Sequence, residues 1–339
     1  LPRKNDWRYP TDAFGLPEGL LAALVGAALL VGTFALASYP IPMSAAARWG
    51  SLTTFTLLAL AVTLPGCAAL YDGLGRVVRH DLRAFGVLLA LLPVLYVAYA
   101  QTVRALDLSG MLAALAITLL PAVMLVRARS QRQPTPLDAI GLGYLAVALW
   151  LGLLPPLTLP EHMGLVGFFE LASIPLLLLL FAVRGWPGVG YSWHLSPREL
   201  RTALLAGVVA LLLVGSSGWA SGNLSLVSPL PTAGTLLLGA VKAYFFVALP
   251  VELLLRSGIQ QGLARAMEGG SLDAVSPWLA LISAATVWAA LGMLRGGWFG
   301  MFSGAAIGLA GGWTYMRTGK VTAAAISHFL IVWMLESVT

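Results

Sequence analysis

The sequence predicts an all-α, polytopic membrane protein, a transmembrane helix bundle of about eleven spans. Three observations predict it. Of 339 residues only 10% are charged and 59% are hydrophobic, where a soluble domain carries about 25% charged residues. The mean hydropathy is +0.87. Apolar runs of roughly 20 residues, the length that crosses the hydrocarbon core of a bilayer, recur from one end of the chain to the other.

Residues 1–15 are polar and of mixed charge, and read as a cytoplasmic segment. The chain begins with Leu1 and not Met, so further residues are expected upstream. No cleavable signal peptide is evident, because the first apolar run is long enough to span and lacks a small-residue cleavage site. Spans are then expected at 16–38, 51–71, 84–103, 109–127, 138–154, 164–183, 199–217, 235–263, 274–294, 298–316 and 320–338. Gln133-Pro134-Thr135-Pro136 and Leu154-Pro155-Pro156 interrupt the pattern as loops do. Ser196-Pro197-Arg198-Glu199 has the form of a helix start, with a capping serine, a proline at the first position and an acid in the first turn. Residues 216–234 are uncharged and rich in Ser, Gly and Pro. They are the expected boundary between N-terminal spans of unassigned role, 16–217, and a C-terminal domain, 235–339. Arg295-Gly296-Gly297 is a very short turn between the ninth and tenth spans. Trp49, Trp186, Trp193, Trp219 and Trp298 fall near span ends, where an aromatic belt would place them.

Charge gives an independent count. With the N-terminus inside and the spans alternating, only Arg48, Arg104 and Arg295 fall on the outer side, and Lys242 and Arg256 fall within spans. The rest of the 20 Lys and Arg lie on the inner side. One miscounted span would invert every later loop and spoil this asymmetry. A net charge of +6 distributed in this way implies the bilayer and its anionic lipid surface as partner, and not nucleic acid. Cys67 is the only cysteine, which excludes an internal disulfide.

A charged group at the bilayer centre costs at least ~2.5–3.5 kcal/mol, so intramembrane ionisable residues mark sites or buried pairs. They are Glu170, Lys242, Glu252, Arg256, His328 and, near the end, Glu336. Glu252 and Arg256 are four apart, on one face of one helix. They can form a carboxylate held for acid–base work by a guanidinium, or an ion pair that lets both charges exist in lipid. Lys242 is expected to reach for the outer interface along its own aliphatic stem. Glu170, near His162, reads as interfacial. His328 reads as a hydrogen-bonded packing residue or a ligand. No HExxH or Cys/His cluster is present, so neither a metal nor a cofactor is expected. Gly304, Gly308, Gly311 and Gly312 form a small-residue helix-packing stripe.

Three short motifs stand between about 240 and 339: Val251-Glu252-Leu253-Leu254-Leu255-Arg256, Ser283 to Leu291, and Arg317-Thr318-Gly319 leading to His328-Phe329-Leu330-Ile331-Val332. By these motifs the stretch resembles the CPBP family, the CAAX prenyl endopeptidases and bacteriocin-processing or Abi proteins. The family's first motif is Glu-Glu-x-x-x-Arg; here it reads Val251-Glu252-x-x-x-Arg256-Ser257, continuing through Gly258-Ile259-Gln260-Gln261-Gly262-Leu263. The second is Phe-x-x-x-His after a Ser-rich helix start; Ser283 to Leu291 occupies that place. The third is His-x-x-x-Asn or Asp after a Gly-rich helix and an Arg-Thr-Gly turn; here Arg317-Thr318-Gly319 leads to His328-Phe329-Leu330-Ile331-Val332. In the family the first Glu and the second-motif His are thought to activate a water, and the third-motif His and Asn/Asp to stabilise the oxyanion. Carried over by position, the first Glu becomes Val251, the second-motif His becomes Leu291 and the Asn/Asp becomes Val332, and only Glu252, Arg256 and His328 remain. Valine accepts no proton and leucine orients no water, and loss of one positioned acid or base costs about 10²–10⁴-fold.

The resemblance therefore implies a pseudoprotease that serves as a subunit, scaffold or assembly factor binding other integral membrane proteins. The first alternative is an active intramembrane endopeptidase with a rearranged site, Glu252 as base and His328 as its partner. The second is a transporter or pigment-binding subunit with His80, His162, His194 or His328 as ligand. The expected location is a bacterial inner membrane.

Overall fold

The computed structural model describes residues 16–338 except 132, 152, 155–166, 187 and 226–230. The segment 1–15 and His162 thus lie outside the described residues. All secondary structure among the described residues is helical. Seven helices are long and apolar enough to cross a membrane by length and composition. Two compact units form, one of residues 16–186 with Tyr191–His194, the other of Gly188–Gly190 with residues 195–338.

The first unit holds α1 (Leu16–Ser38), α2 (Ala45–Thr63), α3 (Ala68–His80), α4 (Leu82–Thr102), α5 (Leu108–Ala128), α6 (Pro136–Trp150) and α7 (Phe168–Arg184). Side-chain oxygens satisfy the orphan N–H groups at several starts: Ser44 for α2, Asp107 for α5, and a Thr135–Asp138 capping box for α6. The interior is apolar and aromatic. Phe34 stacks on Phe55 at 4.1 Å, and Tyr96 packs against Phe168 and Phe169 at 5.6 and 5.2 Å.

The expected span 51–71 divides differently. α2 begins at Ala45 and ends at Thr63, a short 3₁₀ turn at Leu64–Gly66 follows, and α3 begins at Ala68. Pro65 and Gly66 break the helix there, and a Cβ on Gly66 would strike the Trp193 indole. α3 carries Asp72, Arg76, Arg79 and His80 within its length, too polar for a span.

The second unit holds α8 (Pro197–Ala220), α9 (Ala233–Ala266), α10 (Ser276–Thr318) and α11 (Val321–Val338). The start of α8 is as expected: Ser196 and Glu199 form a reciprocal capping box with Pro197 in the first turn. Its end runs past Ser216 to Ala220. α8 packs against α10 and α11, so the unit around the candidate site is larger than the stretch 235–339. A Cβ on Gly207 would stand 2.9 Å from the Ser327 carbonyl oxygen. Ala210, Ile307 and Ile331 close a small apolar core between these three helices.

α10 is two helices. Gly296 and Gly297 leave helical geometry, Gly297 with φ +59°, and the two arms fold back on each other. A Cβ on Gly304 would stand 2.8 Å from the Trp288 carbonyl oxygen, one on Gly308 2.8 Å from Ala285 Cα, and Gly292 and Gly300 abut directly. Backbones this close admit only glycine. The break at Arg295-Gly296-Gly297 and the glycine stripe are both as the sequence indicates.

The tryptophans separate into two kinds. Trp49, Trp219 and Trp298 are exposed, as a belt requires, but Trp186 is buried against Phe181 at 5.4 Å. Trp193 donates its indole N–H to the Thr63 carbonyl at 2.7 Å. These two bury ring area inside the first unit, where their amphipathic rings find an internal partner.

Candidate functional site

Glu252 lies in α9, and its surroundings follow from how that helix winds. Lys242–Ala248 and Leu253–Gln260 are π-helical, and Leu249–Glu252 is a single α turn between them. Such widened turns are rare and recur at functional sites. Glu252, Arg256 and Gln260 follow at four-residue steps along one face, and all three are buried.

The Glu252 carboxylate is fully engaged. Oε2 accepts from Arg256 Nε at 2.6 Å, and Oε1 lies 2.9 Å from His328 Nδ1 on α11. Arg256 Nη1 donates to Gln260 Oε1 at 3.0 Å, and Gln260 Nε2 donates to the Gly312 carbonyl at 3.2 Å. The chain of bonds thus ties α9 to α10 and α11. Glu252 and Arg256 are 0% exposed and His328 1%. Arg256 Nη2 has no hydrogen-bond partner among the described residues. The Trp288 and His328 rings pack at an angle, with centroids 6.0 Å apart.

Glycine makes room for this network. A Cβ on Gly311 would stand 2.6 Å from Glu252 Oε2, and one on Gly312 2.8 Å from Arg256 Nη1. The glycines of the third motif therefore have two uses: pairing the arms of α10, and receiving the buried charges of α9.

Of the residues singled out in the sequence, Glu252, Arg256 and His328 come together. Val251 is buried beside Glu252, Leu291 is buried on the first arm of α10, and Val332 is half-buried one turn beyond His328. Lys242 does not reach for the interface alone. Its ammonium meets Glu336 at 3.2 Å, joining α9 to α11. Glu170 opens α7 in the other unit, half-buried. His80 ends α3 and is exposed; His194 is half-buried in the segment after α7. Among the described residues no three His, Cys, Asp or Glu side chains converge as metal ligands would.

Sequence reasoning named Ser257, Gln260 and Gln261 only as positions around the first motif, and gave no partner to them or to Lys320. Gln260 carries the network to α10. Ser257 donates to the Val189 carbonyl at 2.6 Å and Gln261 to the Gly188 carbonyl at 3.0 Å, while the Val321 N–H donates to the Gly190 carbonyl at 2.9 Å. The irregular segment Gly188–Gly190, whose two end glycines take positive φ, is thereby tied to α9 and α11. Lys320, at the start of α11, pairs with Glu199 at 3.1 Å. Spacing reveals i,i+4 partners, but not partners some 50 to 130 residues away.

A bundle of apolar helices, two of which carry a fully buried Glu–Arg–His network, defines a helical integral membrane protein. Residues 232–334 match the model of the type II CAAX prenyl endopeptidase Rce1-like family, within CPBP. That Rce1-like domain covers α9, α10 and most of α11. No curated protein and no solved structure matches the chain.

Proposed function

We propose that this chain is a catalytically degenerate CPBP-like membrane protein, acting as a subunit, scaffold or assembly factor for other integral membrane proteins of a bacterial inner membrane. One observation carries the reading: the surviving polar residues of the motifs bond to one another, while their chemical partners are Val251, Leu291 and Val332.

A general base must hold a lone pair within about 2.6–3.2 Å of the water it activates. Both oxygens of Glu252 are already committed, one to Arg256 and one to His328, and Gly311 is pressed against the carboxylate. No second carboxylate stands at position 251 to take the proton in its place. The retained trio works as a brace. It couples α9 to α11 through His328 and to α10 through Gln260, and preserves the shape of the protease body without its reaction. Helices α1, α2, α4, α5 and α6 of the first unit add exposed apolar surface on which partner spans can pack.

The test is purification from native membranes in gentle detergent at natural abundance, with mass spectrometry of what remains bound. Stoichiometric co-purification with a defined membrane protein is the expected result. A chain that emerges alone, and cleaves a prenylated peptide in a His328-dependent way, overturns the proposal.

A further inference from the structure

We propose that the basic end of the α1–α7 unit binds the headgroups of anionic phospholipids, with α3 as the principal contact.

α3 has three faces. Val78 is fully buried and the Tyr71 hydroxyl donates to the Leu178 carbonyl at 3.1 Å, so one face is packed on α7. Leu70 and Val77, two turns apart on a second strip, are exposed. Arg76, Arg79 and His80 occupy the remaining face, and Arg83 follows at the start of α4. An apolar strip beside a cationic one is the pattern of a helix that meets acyl chains and headgroups together.

Two further arginines are brought to the same end. The aliphatic stem of Arg79 lies beside Gly185, at the end of α7, where an added Cβ would stand 3.4 Å from Arg79 Cδ. Just before Gly185, Arg184 holds the turn between α5 and α6: it donates to the Gln131 carbonyl, to the Gln133 carbonyl at 2.7 Å and to Asp138 at 2.8 Å. That turn presents Arg127 and Arg129, both exposed.

The five arginines, Arg76, Arg79, Arg83, Arg127 and Arg129, have no ion pair or side-chain hydrogen bond among the described residues. Arg48, at the opposite end, donates to the Tyr39 and Ile41 carbonyls, and among the described residues there only Arg104 is left without such a partner. Glu18, Asp72 and Asp81 share the basic end and leave it cationic; Asp81 accepts from the Arg83 backbone N–H at 2.8 Å. Guanidinium groups bind phosphate through paired, charge-assisted hydrogen bonds. Arginines beside membrane spans are where anionic headgroups collect.

The experiment uses the full chain in nanodiscs of equal parts phosphatidylglycerol and phosphatidylcholine. Lipids retained after detergent extraction are counted by native mass spectrometry. Wild type is expected to retain phosphatidylglycerol in preference. R76Q/R79Q/R83Q is expected to lower that preference by about tenfold or more, since each arginine contributes roughly fivefold near an anionic surface. R127Q/R129Q is expected to lower it less, and R104Q not at all. A folded R76Q/R79Q/R83Q protein with wild-type preference overturns the proposal, as does an equal loss from R104Q. Should the triple variant fail to fold, an unchanged preference in R127Q/R129Q overturns it alone.

Discussion

Replacing Arg256 by leucine removes one partner of a fully buried charge and keeps the side-chain volume close. Glu252 loses the 2.6 Å bond to its Oε2 and retains only His328 on Oε1. Gln260 loses the donor to its Oε1. Breaking a buried pair by removing one member costs about 3–5 kcal/mol, because the other is left uncompensated. Removing both partners behaves differently. Glu252→Leu with Arg256→Leu eliminates both desolvated charges, and such swaps range from neutral to stabilising. His328 would still lose its Nδ1 partner, a loss of about 1–3 kcal/mol for a buried polar group. The single variant should therefore be less stable than the double by roughly 2 kcal/mol or more. The assay is the unfolding midpoint in detergent micelles. At roughly 2–4 °C per kcal/mol for a domain of this size, the single variant should melt at least several degrees below the double. A single variant within about 0.5 kcal/mol of wild type, the range of ordinary surface substitutions, would mean that the pair is not a buried charge held by its partner; so would a double variant no more stable than the single.

Other outcomes follow from the same contacts. Gly311→Ala should destabilise by about 1–3 kcal/mol through overpacking against Glu252, whereas Gly143→Ala on α6, with nothing within 4 Å of its added methyl, should stabilise by up to about 1 kcal/mol; parallel unfolding curves compare the two. Asp138→Ala strands the buried guanidinium of Arg184, and should cost about 3–5 kcal/mol and speed proteolysis at the turn between α5 and α6. Gly190→Ala should destabilise the second unit, because its φ of +70° suits glycine and a Cβ would run into the Gly319 carbonyl.

The fold was legible in the sequence wherever local chemistry decides. Arg295-Gly296-Gly297 announced the fold-back of α10, since two glycines tolerate the geometry that ends one arm and starts the next. Ser196 and Glu199 announced the start of α8. Of the site, the Glu252–Arg256 pair was legible because four-residue spacing puts both on one helix face, and His328 through the third motif. What stayed hidden depends on long-range packing. The pairing of Lys242 with Glu336 spans 94 residues. The break at Pro65-Gly66 sits within an apolar run, and α3 is recognisable only by the charges that follow. Trp186 and Trp193 have the composition of a belt, but their rings are taken up inside the first unit. The association of α8 with α10 and α11 rests on the close approaches of Gly218 to Phe299 and of Gly207 to Ser327, which no periodicity encodes.

The central claim is that the retained Glu252–Arg256–His328 network braces a protease body that no longer cleaves. The most direct measurement is hydrolysis of a farnesylated CAAX peptide by the purified full chain in liposomes, wild type against His328→Ala. Neither protein should release product above the level of empty liposomes. Turnover by wild type that His328→Ala abolishes, in a variant that remains folded, would contradict it.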